Sequence, residues 1–157
     1  MTSVPYMEIL RALIPETMLL VTAFFALTLD LVWLRRSDRV ERTQTLGAAT
    51  ILGLLATVVP LTQQLGQEPL TLVHGTLLAN DLTATFKLVI ITMTLVTVLI
   101  SMDFDVGRHI GEYFAIVLFG AVGMMLLVTT DDLIVIFVAL ELTSISLYIL
   151  TAFHKGE

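Results

Sequence analysis

Five long runs of apolar residues, separated by short polar segments, follow one another along the chain. They cover about residues 7–34, 43–63, 81–102, 112–130 and 132–153. About 20 apolar residues suffice for a helix to cross a hydrocarbon core roughly 30 Å thick. A helix also satisfies its backbone polar groups within one segment, as hydrocarbon requires. The pattern therefore predicts an all-α polytopic membrane protein with five transmembrane helices, which residues 1–157 form as a single membrane domain.

Composition supports this prediction and narrows the function. Of the 157 residues, 57% are hydrophobic and 14% are charged, and the mean hydropathy is +0.95. A soluble domain of this size is rarely so apolar. The formal net charge of −6 argues against nucleic acid as a partner. The absence of cysteine excludes disulfides, thiolate metal sites and cysteine nucleophiles. The lipid bilayer is the partner that composition predicts.

The positions of Lys and Arg predict the orientation of the five spans. The first loop, the third loop and the C-terminus lie on one side of the membrane, and that side carries Arg35, Arg36, Arg39, Arg42, Arg108 and Lys155. The other side carries Arg11, and Lys87 lies within a span. Positive residues accumulate on the cytoplasmic side. We therefore expect the N-terminus outside and the C-terminus in the cytoplasm.

The fifth predicted span contains a carboxylate near its middle. Glu141 lies nine residues after Asp132, which is roughly 14 Å along a helix and close to the bilayer midplane. A charge at that depth costs at least about 3 kcal/mol. Helical spacing places Ser144, Tyr148 and Thr151 on the same face. This polar stripe is expected to face protein or internal water.

Two interpretations of the stripe remain open. Glu141 is either a protonated acid that donates a hydrogen bond to another helix, or a proton-binding site in a transport path. The second is favoured because ionisable residues inside membranes are functional by default. Ser144 and Tyr148 could hold waters or pass protons in such a path.

Three charged residues in the other spans have alternatives of their own. Lys87 either extends its amine back to the nearby interface, or pairs with a buried acid or relays protons. Asp30 either pairs with the arginine cluster near the membrane surface or takes part in transport, and the pairing is favoured. Glu16 is either a solvated residue at the helix end or a buried contact.

Two aspartates are expected to cap predicted spans. Asp81 can cap the N-terminus of the third span, and Asp131 is a plausible N-cap for the fifth.

Motifs for bond chemistry are absent from the sequence. It contains no glycine-rich phosphate loop, dinucleotide fingerprint, His-Glu metal pair or nucleophile elbow. Its three histidines are scattered, and His74 is interpreted as a loop residue. We expect no metal, no cofactor and no catalytic chemistry in this chain. Ionisable groups placed in lipid indicate ion movement instead.

Three stretches together resemble a known family. They are IPETMLLVTAFFALTLDLVWLRR in the first span, EYFAIVLFGAVGMMLLVTTDDL through the fourth and FVALELTSISLYILTAFHKG in the fifth. These are similar to the N-terminal part of the antiporter-like N subunit of proton-pumping NADH–quinone oxidoreductase, respiratory complex I. The most specific residues are Leu140, Glu141, Ser144, Leu147 and Tyr148. The related L and M subunits usually carry a Trp-Glu pair, whereas Leu140 precedes Glu141 here.

The resemblance implies a fold and a role. Family members have many helices with the N-terminus outside, a glutamate in the fifth helix and a lysine in the broken seventh helix. That pair is thought to take part in moving protons. Glu141 matches the glutamate, and nothing in this sequence matches the lysine, since Lys87 lies in the third span. The family implies NADH, FMN, iron–sulfur clusters and quinone in partner subunits, and a location in the cell inner (plasma) membrane.

Family members are also much longer, so we do not expect this chain to translocate ions alone. Either the subunit is split, with a second chain supplying the remaining helices, or the chain is a truncated product. We favour the split subunit, a part of a translocase together with other membrane subunits. The alternatives are an equivalent piece of a multi-subunit cation/proton antiporter or membrane-bound hydrogenase, and a structural or assembly membrane protein.

Overall fold

The computed structural model describes residues 10, 12–34, 38–66, 70–72, 77–103 and 109–153. Within these ranges the chain forms five helices and one short hairpin. The helices are α1 (Ile14–Val32), α2 (Arg39–Gln64), α3 (Asp81–Asp103), α4 (Ile110–Thr129) and α5 (Leu133–Ala152). The hairpin joins β1 (Leu70–Leu72) to β2 (Leu77–Ala79) in antiparallel register, with Leu70 opposite Ala79.

Each helix coincides with one of the five predicted apolar runs. All five are long and apolar enough to cross a membrane. Apart from the hairpin, the described chain is helical, which confirms the all-α class. The orientation of the termini stays a prediction. Several residues used in the sequence analysis lie outside the described residues: positions 7–9, Arg11, Arg35, Arg36, His74, Arg108 and Lys155.

Helix α4 is the centre of the bundle. It packs against α1, α2, α3 and α5. In its most apolar stretch 61% of the residues are buried, compared with 11% in the corresponding stretch of α5. Its side chains Phe114, Leu118 and Met125 are completely enclosed. The core therefore lies around α4, and α5 is attached to its outer side.

A glycine allows α5 to approach α4 closely. A Cβ atom added to Gly123 would lie 3.0 Å from both the carbonyl oxygen of Ala139 and the backbone nitrogen of Thr143, and would also collide with the Thr143 hydroxyl. At Gly120 a Cβ would meet only the Cβ of Ser146 at 3.5 Å, an ordinary contact. Small residues at helix contacts bring membrane helices together, and Gly123 performs that function here.

The start of α5 is fixed one residue later than the sequence suggested. We expected Asp131 as the N-cap, but Oδ1 of Asp132 accepts hydrogen bonds from the backbone nitrogens of Ile134 at 2.8 Å and Val135 at 3.2 Å. Asp131 is exposed. The expectation was wrong because the first helical residue is Leu133, so the preceding residue is the one positioned to cap.

The start of α3 differs in the same way. Asp81, the expected cap, is its first helical residue, and Asn80 caps the helix by accepting from the backbone nitrogen of Thr83 at 2.8 Å. Asp81 instead accepts from the backbone nitrogen of Gly66 at 2.8 Å. Its carboxylate therefore links the end of α2 to the start of α3.

Hydroxyl groups within α3 are satisfied inside the helix. Each donates to the carbonyl oxygen four residues earlier at 2.7–2.9 Å: Thr85, Thr92, Thr94 and Thr97. This bonding lets an apolar helix carry hydroxyls without a partner helix.

Candidate functional site

Glu141 lies on the face of α5 that points away from the bundle. The residues of α5 that are buried are Ala139 and Ser146, on the side that packs against α4. Glu141 is two residues, or about 200°, from Ala139 around the helix, and its side chain is exposed. Within the described part of the chain its carboxylate makes no hydrogen bond or ion pair.

The rest of the polar stripe shares this outward position. Ser144 is half-buried, Tyr148 is 72% exposed and Thr151 is exposed. The Thr151 hydroxyl donates to the carbonyl oxygen of Tyr148 at 2.8 Å. Neither Ser144 nor Tyr148 reaches the Glu141 carboxylate by a hydrogen bond within the described chain. The proton-binding role of Glu141 and the supporting roles of Ser144 and Tyr148 stay predictions.

Lys87 is paired with a buried acid. Its Nζ lies 2.6 Å from Oε1 of Glu16, and the two side chains are only 2% and 3% exposed. Of the two interpretations of Lys87, the structure therefore selects the buried pair over an amine at the interface. It also selects the buried contact for Glu16. A role of Lys87 in moving protons stays a prediction.

Three helices meet at this pair. Glu16 lies two residues after the start of α1, and Lys87 lies six residues after the start of α3. The last residue of α4, Thr129, points its hydroxyl at Oε1 of Glu16 from 3.3 Å while it donates to the carbonyl oxygen of Met125 at 2.7 Å. Strand β2 contacts α3 and α4. The pair thus lies at the end of the bundle where α1 and α3 begin.

A second ion pair lies at the opposite end of α1. Nη2 of Arg42 donates to Oδ2 of Asp30 at 2.5 Å, and Nε of Arg42 donates to Oδ1. The Arg42 side chain is 22% exposed and that of Asp30 is 9% exposed. This confirms the predicted pairing of Asp30 with the arginine cluster. Fourteen residues separate Glu16 from Asp30, or about 21 Å along the helix.

Sequence reasoning left the enclosed acid undecided. It ranked Glu141 as the acid in need of a buried environment and divided Glu16 between solvent and protein. One signal could have identified the pair. Lys87 is a cation within an apolar run, and a buried cation requires an anion at similar depth. Glu16 meets that requirement, because α1 and α3 start on the same side.

No three His, Asp or Glu side chains come together as a metal-binding group in the part of the chain that the structure describes. The expectation that this chain holds no metal or cofactor is still a prediction.

Comparison with known proteins finds similarity over nearly the whole chain. The chain is 37% identical over 166 residues to NADH-quinone oxidoreductase subunit N 2 of Acidobacterium capsulatum, covering 99% of this chain and 33% of that protein. It is 34% identical over 148 residues to NAD(P)H-quinone oxidoreductase subunit 2 of Thermosynechococcus vestitus, with 92% and 28% covered. The chloroplastic subunit 2 of Mesostigma viride is 30% identical over 148 residues, with 93% and 28% covered.

The chain therefore spans about a third or less of the length of these curated relatives. No family model matches it.

Proposed function

This chain is a homologue of subunit N of NADH–quinone oxidoreductases over nearly its whole length, and we propose that it forms part of the proton-translocating membrane arm of such a complex. In this proposal it supplies Glu141 as the intramembrane acid of an antiporter-like subunit. Further helices, of the kind that the greater length of the relatives provides, complete that subunit. The protein is multi-pass in the cell inner (plasma) membrane, with its N-terminus outside.

The observation that carries this proposal is the outward position of Glu141. The carboxylate lies eight residues inside α5, which starts at Leu133, or about 12 Å from the helix start. Exposed apolar side chains surround it on the same helix, including Phe137, Leu140 and Ile145. A carboxyl among lipid tails costs at least about 3 kcal/mol. A polar group from another polypeptide would remove that cost, and the greater length of the relatives is a source of such helices.

The chemistry available to Glu141 is reversible protonation. Burial favours the neutral form of a carboxyl, and a cation that approaches favours the charged form. A lysine on a partner helix would therefore make Glu141 release a proton as it approaches and take one up as it withdraws. Redox chemistry in other subunits would supply the coupling free energy. Ser144 and Tyr148, on the same stripe, would hold water for the transfer.

The decisive experiment is Glu141→Gln in the assembled complex. We expect fewer protons pumped per electron pair, because the amide keeps the shape of the side chain but cannot exchange a proton. Glu112→Gln is the matched control. Glu112 is exposed in the first turn of α4 and contacts His109 at 3.0 Å, so this variant is expected to pump normally. An unchanged proton ratio in an assembled Glu141→Gln complex would rule out an essential role.

Isolation from native membranes tests which proteins assemble with this chain. We expect quinone and iron–sulfur subunits to copurify, with a chain that contributes a mid-membrane lysine. Copurification with only cation/proton antiporter subunits would reassign the chain to such an antiporter. A set of partners without any ion-translocating subunit would favour a structural role.

A further inference from the structure

The Glu16–Lys87 pair is enclosed by its own chain and plays no part in the mechanism proposed for Glu141. Its two side chains are 2% and 3% exposed. Glu141 lies on the far side of α5, which packs mainly on α4. The two acids therefore occupy separate environments, one inside the bundle and one on its surface.

The polar groups of the pair are only partly satisfied. Oε1 of Glu16 accepts from Lys87 and lies near the hydroxyl of Thr129, but Oε2 is buried and has no hydrogen-bond partner among the described residues. An ammonium has three donors, and within the described chain Oε1 of Glu16 is the acceptor bonded to Nζ of Lys87. Buried polar atoms in native proteins are almost always paired, often with an internal water. An internal water is the partner that would satisfy this oxygen.

Among the described residues, few other charges lie near this pair. The residues that are both ionisable and buried in the described chain are Glu16, Lys87 and Asp30, and Asp30 is bonded to Arg42 at the other end of α1. Strands β1 and β2 contain no ionisable residue. The end of α2 contributes glutamines, Gln63 and Gln64. At this end of the bundle the remaining ionisable residues of the described chain are exposed or half-buried acids at helix starts: Asp81, Asp131 and Asp132.

We propose that Glu16, Lys87 and a water at Oε2 of Glu16 form a second proton-binding site, separate from Glu141. The 2.6 Å contact is short enough for a charge-assisted hydrogen bond. Transfer along it breaks an N–H bond of Lys87 and forms an O–H bond on Glu16, so the pair stays neutral overall. When the water at Oε2 donates a proton to Glu16 and takes one from solvent in exchange, the ion pair becomes an ammonium beside a carboxylic acid, with a net charge of +1.

This site exchanges protons with the side of the membrane on which α1 and α3 begin. Glu16 is close to the start of α1, and Asp81, Asp131 and Asp132 lie at that end of the bundle. These acids give this end of the bundle negative charge, which attracts protons. The contribution of the site to pumping rests on the proposed function, whereas proton binding by the pair does not.

Infrared spectroscopy of the complex purified from native membranes tests proton binding directly. We expect a protonated-carboxyl band that grows as the pH falls and is lost in Glu16→Gln. In Lys87→Met the same band should be present even at neutral pH, because a buried carboxyl without its cation stays protonated. A permanent structural ion pair would show no such band in the native complex at any pH at which the complex stays folded, and that result would overturn the proposal.

The double variant Glu16→Gln/Lys87→Met keeps the test decisive where a single variant fails to assemble. It removes both charges together, which proteins tolerate better than the loss of one partner. We expect it to assemble, to lack the titrating band and to pump fewer protons per electron pair. A native band that persists in the double variant would assign the signal to another carboxyl and contradict the proposal. If Glu141→Gln pumps normally while the Glu16 band titrates, the proposed function fails and this site stands.

Discussion

Two acids within apolar helices, Glu16 and Glu141, have opposite environments. Glu16 is 3% exposed and lies 2.6 Å from the Lys87 amine. Glu141 is exposed on α5, and the described chain provides it with no partner. Both acids would be costly in lipid. The difference shows that the described part of this chain pairs Glu16 internally and provides no partner for Glu141.

The helices that carry the two acids also differ in how they pack against the rest of the bundle. Side chains of α1 lie against α2 and α4, and Glu16 reaches α3. Helix α5 contacts chiefly α4, and only 11% of its most apolar stretch is buried. An acid on α1 therefore meets side chains of its own bundle, whereas an acid on the outer side of α5 does not.

Loss of the Lys87 charge should have the largest effect on folding. Lys87→Met leaves Glu16 buried without its cation, and such a change destabilises by about 3–5 kcal/mol. The measurement is unfolding of the purified chain in detergent micelles. The double variant Glu16→Gln/Lys87→Met should recover most of the loss. A single variant as stable as the parent would show that the pair is not enclosed, and would remove the contrast with Glu141.

A change at the contact between α5 and α4 should have the second-largest effect on stability. Gly123→Ala places a methyl group against the backbone of Ala139 and Thr143, and overpacking of this kind costs about 1–3 kcal/mol. Gly120→Ala is the matched control and should be nearly neutral, since its methyl group meets only Ser146 at 3.5 Å. Equal effects of the two variants in the same unfolding measurement would contradict the observed contact.

Loss of the cap at the start of α5 should have a smaller effect on stability. Asp132→Ala removes the side chain that caps the helix, and loss of a cap costs about 1 kcal/mol. Asp131→Ala changes an exposed neighbour and should leave stability unchanged. This comparison shows whether the N-cap contributes to the stability of α5, a helix of which little is buried. A larger loss of stability in Asp131→Ala than in Asp132→Ala would show that Asp131 is the cap.

Glu141→Gln should have the smallest effect on the stability of the chain. An exposed side chain without a partner usually changes stability by less than about 0.5 kcal/mol when it is replaced. Unfolding of the parent and the variant, compared in the same micelles, measures this. A loss as large as that of Lys87→Met would show that Glu141 is enclosed by its own chain, and would eliminate the contrast between the two acids.

Much of the architecture could be predicted from the sequence. The length of each apolar run determined the five helices, because a membrane span is defined by consecutive residues. The pairing of Asp30 with an arginine followed from their positions at the two ends of one short loop. Three stretches of the sequence resembled subunit N of NADH–quinone oxidoreductases, and the comparisons found relatives with that name over nearly the whole chain. These features depend on neighbours in sequence.

The environments of the charged residues depended on the tertiary structure. A helix that faces lipid on one side and protein on the other is apolar on both sides, so the pattern of hydrophobic residues does not mark which face is covered. The burial of Glu16 depends on Lys87, which is 71 positions away in the sequence, and on Thr129 of a third helix. The outward direction of Glu141 depends on the close contact of Gly123 with α5. The sequence by itself determined how many helices form, and the contacts between them decided which acid lies inside.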